Sequence, residues 1–228
     1  MGLIDKIKSA FTSSNAIENE ELISNSYKDL IVEAEGFTRE QGFAFDTTKR
    51  GSSLDDLDTL VTELANILAG EVIPVYKING FRDVATRFGG DCGNVHVAIL
   101  SFIQKYYPSI NANLTVGEFV TDGESQFPFN QEKCLEWLKN GAPEILDCHT
   151  WITIDDNIIL DCTVGTYVNT RLSDSKTFGG IVWGKMGELN VTRISNFEHK
   201  DPRDINRISY HPVILGMSAF SKFAPRQK

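Results

Sequence analysis

The stretch DCHTWITIDDNIILDCT, residues 147–163, holds two apolar, β-branched runs on either side of an Asp-Asp-Asn cluster, which is the composition of a β-hairpin. Alternation along the first run puts His149, Trp151 and Thr153 on one face. The second run carries Asp161, and the turn decides which face that carboxylate joins. A two-residue loop at Asp156 and Asn157 sets Asp161 opposite Ile152, on the wrong side. A three-residue loop from Asp155 to Asn157 pairs Ile154 with Ile158 and Trp151 with Asp161, which leaves Asp161 diagonal to His149 on the same face. Asn tolerates the left-handed conformation such a loop needs, so Asn157 is expected to have positive φ.

Upstream, RFGGDCGNVHVAILSFIQKYY (residues 87–107) opens with glycines and an acid, places Cys92 next, and then settles into helical apolar periodicity. A thiol in the first turn of a helix meets unpaired backbone N–H groups and the positive end of the helix dipole, both of which favour thiolate. Asp91, next door, opposes this unless it serves as the helix N-cap, so a cationic partner is needed. His149 is one candidate. His96, four residues after Cys92 on the same helix face, is the other, and makes a Cys-x-x-x-His metal half-site geometrically possible. We assign His96 to structure or the active-site rim, because a zinc site of Cys92, His96, His149 and Asp161 would require helix and hairpin to meet near tetrahedral geometry.

Elsewhere the chain reads as helices first and strands later, the order of an α+β domain. SLDDLDTLVTELANILAG predicts a helix with Ser53 as N-cap, a stripe of Leu57, Leu60, Val61, Leu64, Ile67 and Leu68, and a stop at Gly70. EVIPVYKI is expected to be extended. In the helix after Cys92, residues Val95, Ala98, Ile99, Phe102, Ile103 and Tyr106 are expected to face the core. LTVGEFVT, CHTWITI, NIILDCT and GGIVWG predict strands, and Cys134 lies in a short amphipathic helix, QEKCLEWLKN. Cys134, Cys148 and Cys162 are expected to pack, and His199 and His211 to lie at the surface. Residues 1–52 read as a helical, partly mobile N-terminal extension and residues 53–228 as an α+β domain.

With 228 residues, 41% of them hydrophobic, and a net charge of −9, the chain suits one substantial core and has no basic face for nucleic acid. No apolar run approaches a membrane span and the N-terminus lacks a secretory signal, so the expected location is cytoplasmic, with delivery by a dedicated secretion system an open alternative. Leu3, Ile4, Ile7 and Phe11 share one helical face, a candidate for peripheral membrane or protein contact. The cysteines show no C-x-x-C pair and no zinc-ribbon spacing, so neither metal nor cofactor is expected.

GDC at a helix start, HTW on one strand and ILDCT on the next, in that order, resemble the G-x-C, H-x-W and D-x-T motifs of the transglutaminase-like branch of papain-fold cysteine enzymes. The resemblance covers residues 87–165. It implies an α+β core with the nucleophile-bearing helix packed on an antiparallel sheet. It further implies Cys92 as nucleophile, His149 as general base and Asp161 as the residue orienting the imidazole, which makes residues 53–228 a papain-like catalytic domain; beside these, Trp151, His96 and Gly93 are expected to bind substrate or line the active-site rim. DCGN is also similar to the start of the NlpC/P60 peptidases. The sequence departs from the family pattern at Gly93, where an aromatic residue often follows the cysteine, and it has no glutamine at the papain distance before Cys92. The expected function is cysteine-dependent attack on an amide or thioester of a peptide, protein or small amide, as peptidase, deamidase, transglutaminase or acyltransferase, with water the default acceptor. The alternatives are a non-catalytic interaction module of the same fold and a zinc-dependent hydrolase.

Overall fold

The computed structural model describes residues 27–48, 52–202 and 205–223; the N-terminal face of Leu3, Ile4, Ile7 and Phe11 lies outside them. Helix α1 (27–40) is followed by α2 (Leu54–Ile67), a π-helical turn (Leu68–Val72), α3 (Ile73–Ile78), α4 (Val84–Gly89) and α5 (Cys92–Tyr106). Then come β1 (Ala112–Thr121), β2 (Glu124–Ser125), α6 (Gln131–Asn140), β3 (His149–Ile154), β4 (Ile158–Asp161) and α7 (Val164–Tyr167), which runs into a second π turn (Val168–Leu172). Strands β5 (Ile181–Lys185), β6 (Glu188–Thr192) and β7 (Ser209–Leu215) and helix α8 (Met217–Phe223) follow. All strand pairs are antiparallel, in the order β2-β1-β3-β4-β5-β6 with β7 also on β1. The architecture is therefore α+β, and no described helix is long and apolar enough to cross a membrane.

The Ser53 hydroxyl caps α2 by accepting from the Asp56 N–H, and Leu57, Leu60, Val61, Leu64 and Leu68 are buried as the spacing requires. Gly70 does not stop the helix, and EVIPVYKI is helical where an extended segment was expected. The ladder widens instead: the Ile73 N–H reaches back to the Leu68 carbonyl, and Pro74 sits at the start of α3, where a missing N–H costs least. The buried face of α5 is also rotated from the expected one. His96 and Leu100 are buried with Val95, Ile99 and Ile103, while Ala98 and Tyr106 are exposed.

Even-numbered residues of the hairpin, Ile152, Ile154, Ile158 and Leu160, pack with α2 and α5, while Trp151 and Ile159 face a second cluster containing Phe119, Val182 and Tyr210. Helix α1 closes that second cluster with Tyr27 and Ile31, which are 2% and 1% exposed. The boundary expected at residue 52 thus does not separate this helix from the core. Strands β6 and β7 were not anticipated: β6 buries only Leu189, and β7 contains Pro212. Pro212 lies where the β1–β7 register shifts, an irregularity that accommodates a residue unable to donate to the ladder.

Candidate active site

Backbone-to-backbone contact sets up the region. A Cβ on Gly89, at the end of α4, would meet the Tyr167 nitrogen at 2.9 Å, and a Cβ on Gly179 would meet the Gly165 carbonyl oxygen at 2.0 Å. Only glycine allows α4, which leads into Cys92, to touch the short helix that follows Asp161. Gly117, paired with His149 across β1 and β3, plays a similar part: a Cβ there would lie 2.1 Å from the His211 carbonyl oxygen and 2.9 Å from the Trp151 ring.

Cys92 is the first residue of α5 and is half-buried. The first intrahelical bond runs from the Val95 N–H to the Asp91 carbonyl, so the amides of Cys92, Gly93 and Asn94 precede the ladder. Asp91 occupies the N-cap position without capping; its carboxylate accepts from the Tyr76 hydroxyl at 2.8 Å and the Asn94 side-chain Nδ2 at 2.7 Å. Gly93 is half-buried, and Phe220 of α8 fills the space beside it, 2.8 Å from where a Cβ would stand.

The hairpin pairs Ile154 with Ile158, the register that keeps His149 and Asp161 on one face. Positive φ falls on Asp155 and Asp156 rather than Asn157, correcting the detail of the turn while leaving its length as read. His149 Nε2 donates to Asp161 Oδ2 at 2.5 Å. Its ring is stacked between Phe127, 5.9 Å away at 11°, and Trp151, 5.8 Å away at 22°, with the edge of Phe119 against it. Trp151 is 0% exposed and so supports the imidazole from below; it is not part of a rim.

Asp161, also 0% exposed, accepts the His149 N–H and the Tyr210 hydroxyl on Oδ2, and the Thr163 N–H, Thr163 hydroxyl and Val164 N–H on Oδ1. The last three tie the carboxylate to the first turn of α7. Burial alone would raise its pKa, but the charge and hydrogen bond of His149, with the Thr163 amide, hold it well below the usual carboxylate range. Burial alone would depress His149; the charges of Asp161 and Cys92, followed by hydrogen bonds to both, override it and push the imidazole up to about 10. Nε2 is committed to Asp161, and Cys92 stands near enough for its charge to act on the ring. The arrangement holds an imidazolium between a carboxylate and a sulfur.

His96 is fully buried rather than at the rim. Its Nδ1 lies 2.8 Å from the Cys92 carbonyl oxygen and its Nε2 accepts from the Cys162 N–H at 2.9 Å. Those partners fix the Nδ1–H tautomer. The 3.4 Å approach of Nε2 to Asp161 Oδ1 is therefore not an ion pair, in keeping with burial lowering His96 to about 4. Both ring nitrogens are taken by the backbone, so His96 has none to offer a metal, and among the described residues no cluster of three or more His, Cys, Asp or Glu could hold one.

Cys134, Cys148 and Cys162 are buried; burial pushes Cys134 up to about 12 and the other two well above the usual thiol range. His199 is not a surface residue: its side chain is 6% exposed and Nε2 contacts Asp201 Oδ1 at 2.7 Å. His211 lies in β7, half-buried, 3.1 Å from the Ser209 hydroxyl. Sequence reasoning missed Tyr210, Phe127 and Thr163. Only Thr163, in the D-x-T motif, carried a local cue. No family model, curated protein or solved structure matches the chain.

Proposed function

We propose that the protein is a cysteine-dependent hydrolase or acyltransferase with a papain-like, transglutaminase-like core, acting on an amide or thioester carbonyl. The observation that carries this reading is His149, which is bonded through Nε2 to a fully buried carboxylate and bears on the Cys92 sulfur at the open end of a helix. The Cys92 thiolate attacks the carbonyl carbon, forming an S–C bond while the carbonyl oxygen takes the electron pair. Collapse of that adduct expels the amine or thiol, which leaves with the proton held by His149. Neutral His149 then takes a proton from water or an acceptor amine as it attacks the thioester, and Cys92 is released. The amide of Cys92 is the one assigned donor to the developing oxyanion.

The test uses p-nitrophenyl acetate as a generic acyl donor. Nitrophenolate release should be accompanied by an acetyl group mapped to Cys92, and both should vanish in Cys92→Ala and fall sharply in His149→Ala. Failure of wild-type Cys92 to become acylated, or equal turnover in Cys92→Ala, would leave the interaction-module reading in its place.

A further inference from the structure

We propose that His96 is a positioning residue: its imidazole clamps the first turn of α5 to the end of β4 and so holds the Cys92 thiol against the His149–Asp161 pair. This rests on the nucleophile reading of Cys92. The residues that must converge sit on separate elements: the thiol on a helix, the imidazole at the start of β3 and the carboxylate at the end of β4. Sheet pairing relates His149 to Asp161, but it says nothing about where α5 stands. His96 spans that gap with two hydrogen bonds: Nδ1–H to the carbonyl of Cys92 itself, 2.8 Å, and Nε2 from the N–H of Cys162, the residue after Asp161, 2.9 Å.

A buried histidine with both nitrogens satisfied is commonly only a core residue. Two features single this one out. Its partners are the backbone of the thiol-bearing residue and the backbone adjoining the carboxylate, not arbitrary core groups. Its neutral form is also required there: a proton on Nε2 would displace the Cys162 N–H and point at Asp161 Oδ1, 3.4 Å away, pulling the carboxylate from His149. Asp161 already has three other donors on Oδ1, so it has no need of His96 as one.

The readout is the rate of Cys92 alkylation by iodoacetamide against pH, located by mass mapping, with thermal unfolding measured in parallel. In this reaction the Cys92 sulfur displaces iodide, a C–S bond replaces C–I, and the proton stays on His149. His96→Leu removes both bonds; His96→Asn keeps a donor near Nδ1 and His96→Gln an acceptor near Nε2. In His96→Leu the rate at neutral pH should fall about tenfold to a hundredfold, the scale expected for a reactive group displaced by an ångström, and the pH midpoint should shift. The two polar variants should fall between it and the wild type. A wild-type rate and midpoint in folded His96→Leu, or in both polar variants, overturns the proposal. Wild-type protein whose Cys92 reacts no faster than Cys134 sinks the nucleophile reading instead, so the two failures are distinguishable.

Discussion

Asp161 shows how much one residue is asked to do. It has no exposed surface, accepts from His149 and Tyr210 on one oxygen, and caps α7 with the other. Asp161→Ala strips the partner from a buried imidazolium and should cost about 3–5 kcal/mol, read from the urea midpoint. Asp161→Asn keeps an acceptor for the capping amides, but its NH2 must donate to His149 Nε2, which moves the ring proton to Nδ1 and removes the imidazolium. Most of the stability should survive, while acylation of Cys92 falls by up to about 10⁴, the loss seen for the equivalent change in the serine-protease triad. Equal destabilisation in both variants with acylation intact would exclude Asp161 from the chemistry. The His149–Asp161 pairing was legible because it depends only on the parity of a loop, which residue counting supplies. The conformation inside the loop was not: Asp155 accepts from the Ser52 N–H at 2.6 Å and its own N–H donates to Asn111, and these tertiary bonds override the usual preference of asparagine for positive φ. His96 gave only its spacing from Cys92, since the amide it meets lies 66 residues away.

At the scale of elements, two glycines near the site predict opposite outcomes. At Gly117 an added Cβ meets a β7 carbonyl oxygen at 2.1 Å, so relief requires β7 to move, along with the Trp151 ring that backs His149. At Gly93 it meets the tip of the Phe220 ring, which can swing. Gly117→Ala should therefore cost about 3 kcal/mol, the upper end of ordinary overpacking, and Gly93→Ala about 1 kcal/mol or less. Paired thermal unfolding curves check this, and equal shifts would mean that β7 is not held as tightly as the close approach implies. The same contrast explains which elements the sequence disclosed. Strands β3 and β4 and helix α2 carry their own periodicity and cap. Strand β7 does not, because Pro212 interrupts its pattern and the extra residue beside it, Val213, is revealed only by the pairing with β1. The face of α5 was misjudged for a related reason: an apolar stripe leaves out a polar residue, and His96 is buried by hydrogen bonds that periodicity cannot see.

For the whole molecule, α1 belongs to the fold although its sequence is polar enough to pass for an extension. The Tyr27 hydroxyl accepts from Trp151 Nε1 at 2.9 Å and meets Thr153 Oγ1 at 2.7 Å, and Thr153 meets Thr115 at 2.7 Å. Tyr27→Phe leaves the Trp151 N–H buried without that partner and should lower the urea stability by about 1–3 kcal/mol; an unchanged midpoint would return α1 to the status of an appendage. Stability against pH should form a dome, because the two buried histidines have opposite signs. His149, raised from 6.5 to about 10, binds more proton folded than unfolded between those values; its contribution is complete below pH 6.5 and is lost as pH rises through about 10. His96, lowered from 6.5 to about 4, binds less proton when folded, so stability is lost as pH falls from 6.5 through about 4. Asp161, held below the ordinary carboxylate value of 3.8, adds its loss only at still lower pH. The melting temperature should accordingly peak near pH 6.5. Replacing His96 with leucine should flatten the limb between pH 4 and 6.5 while leaving the alkaline limb, and His149→Gln should do the reverse. An acid limb that persists unchanged in His96→Leu would mean that His96 is not the buried neutral group its two backbone hydrogen bonds require.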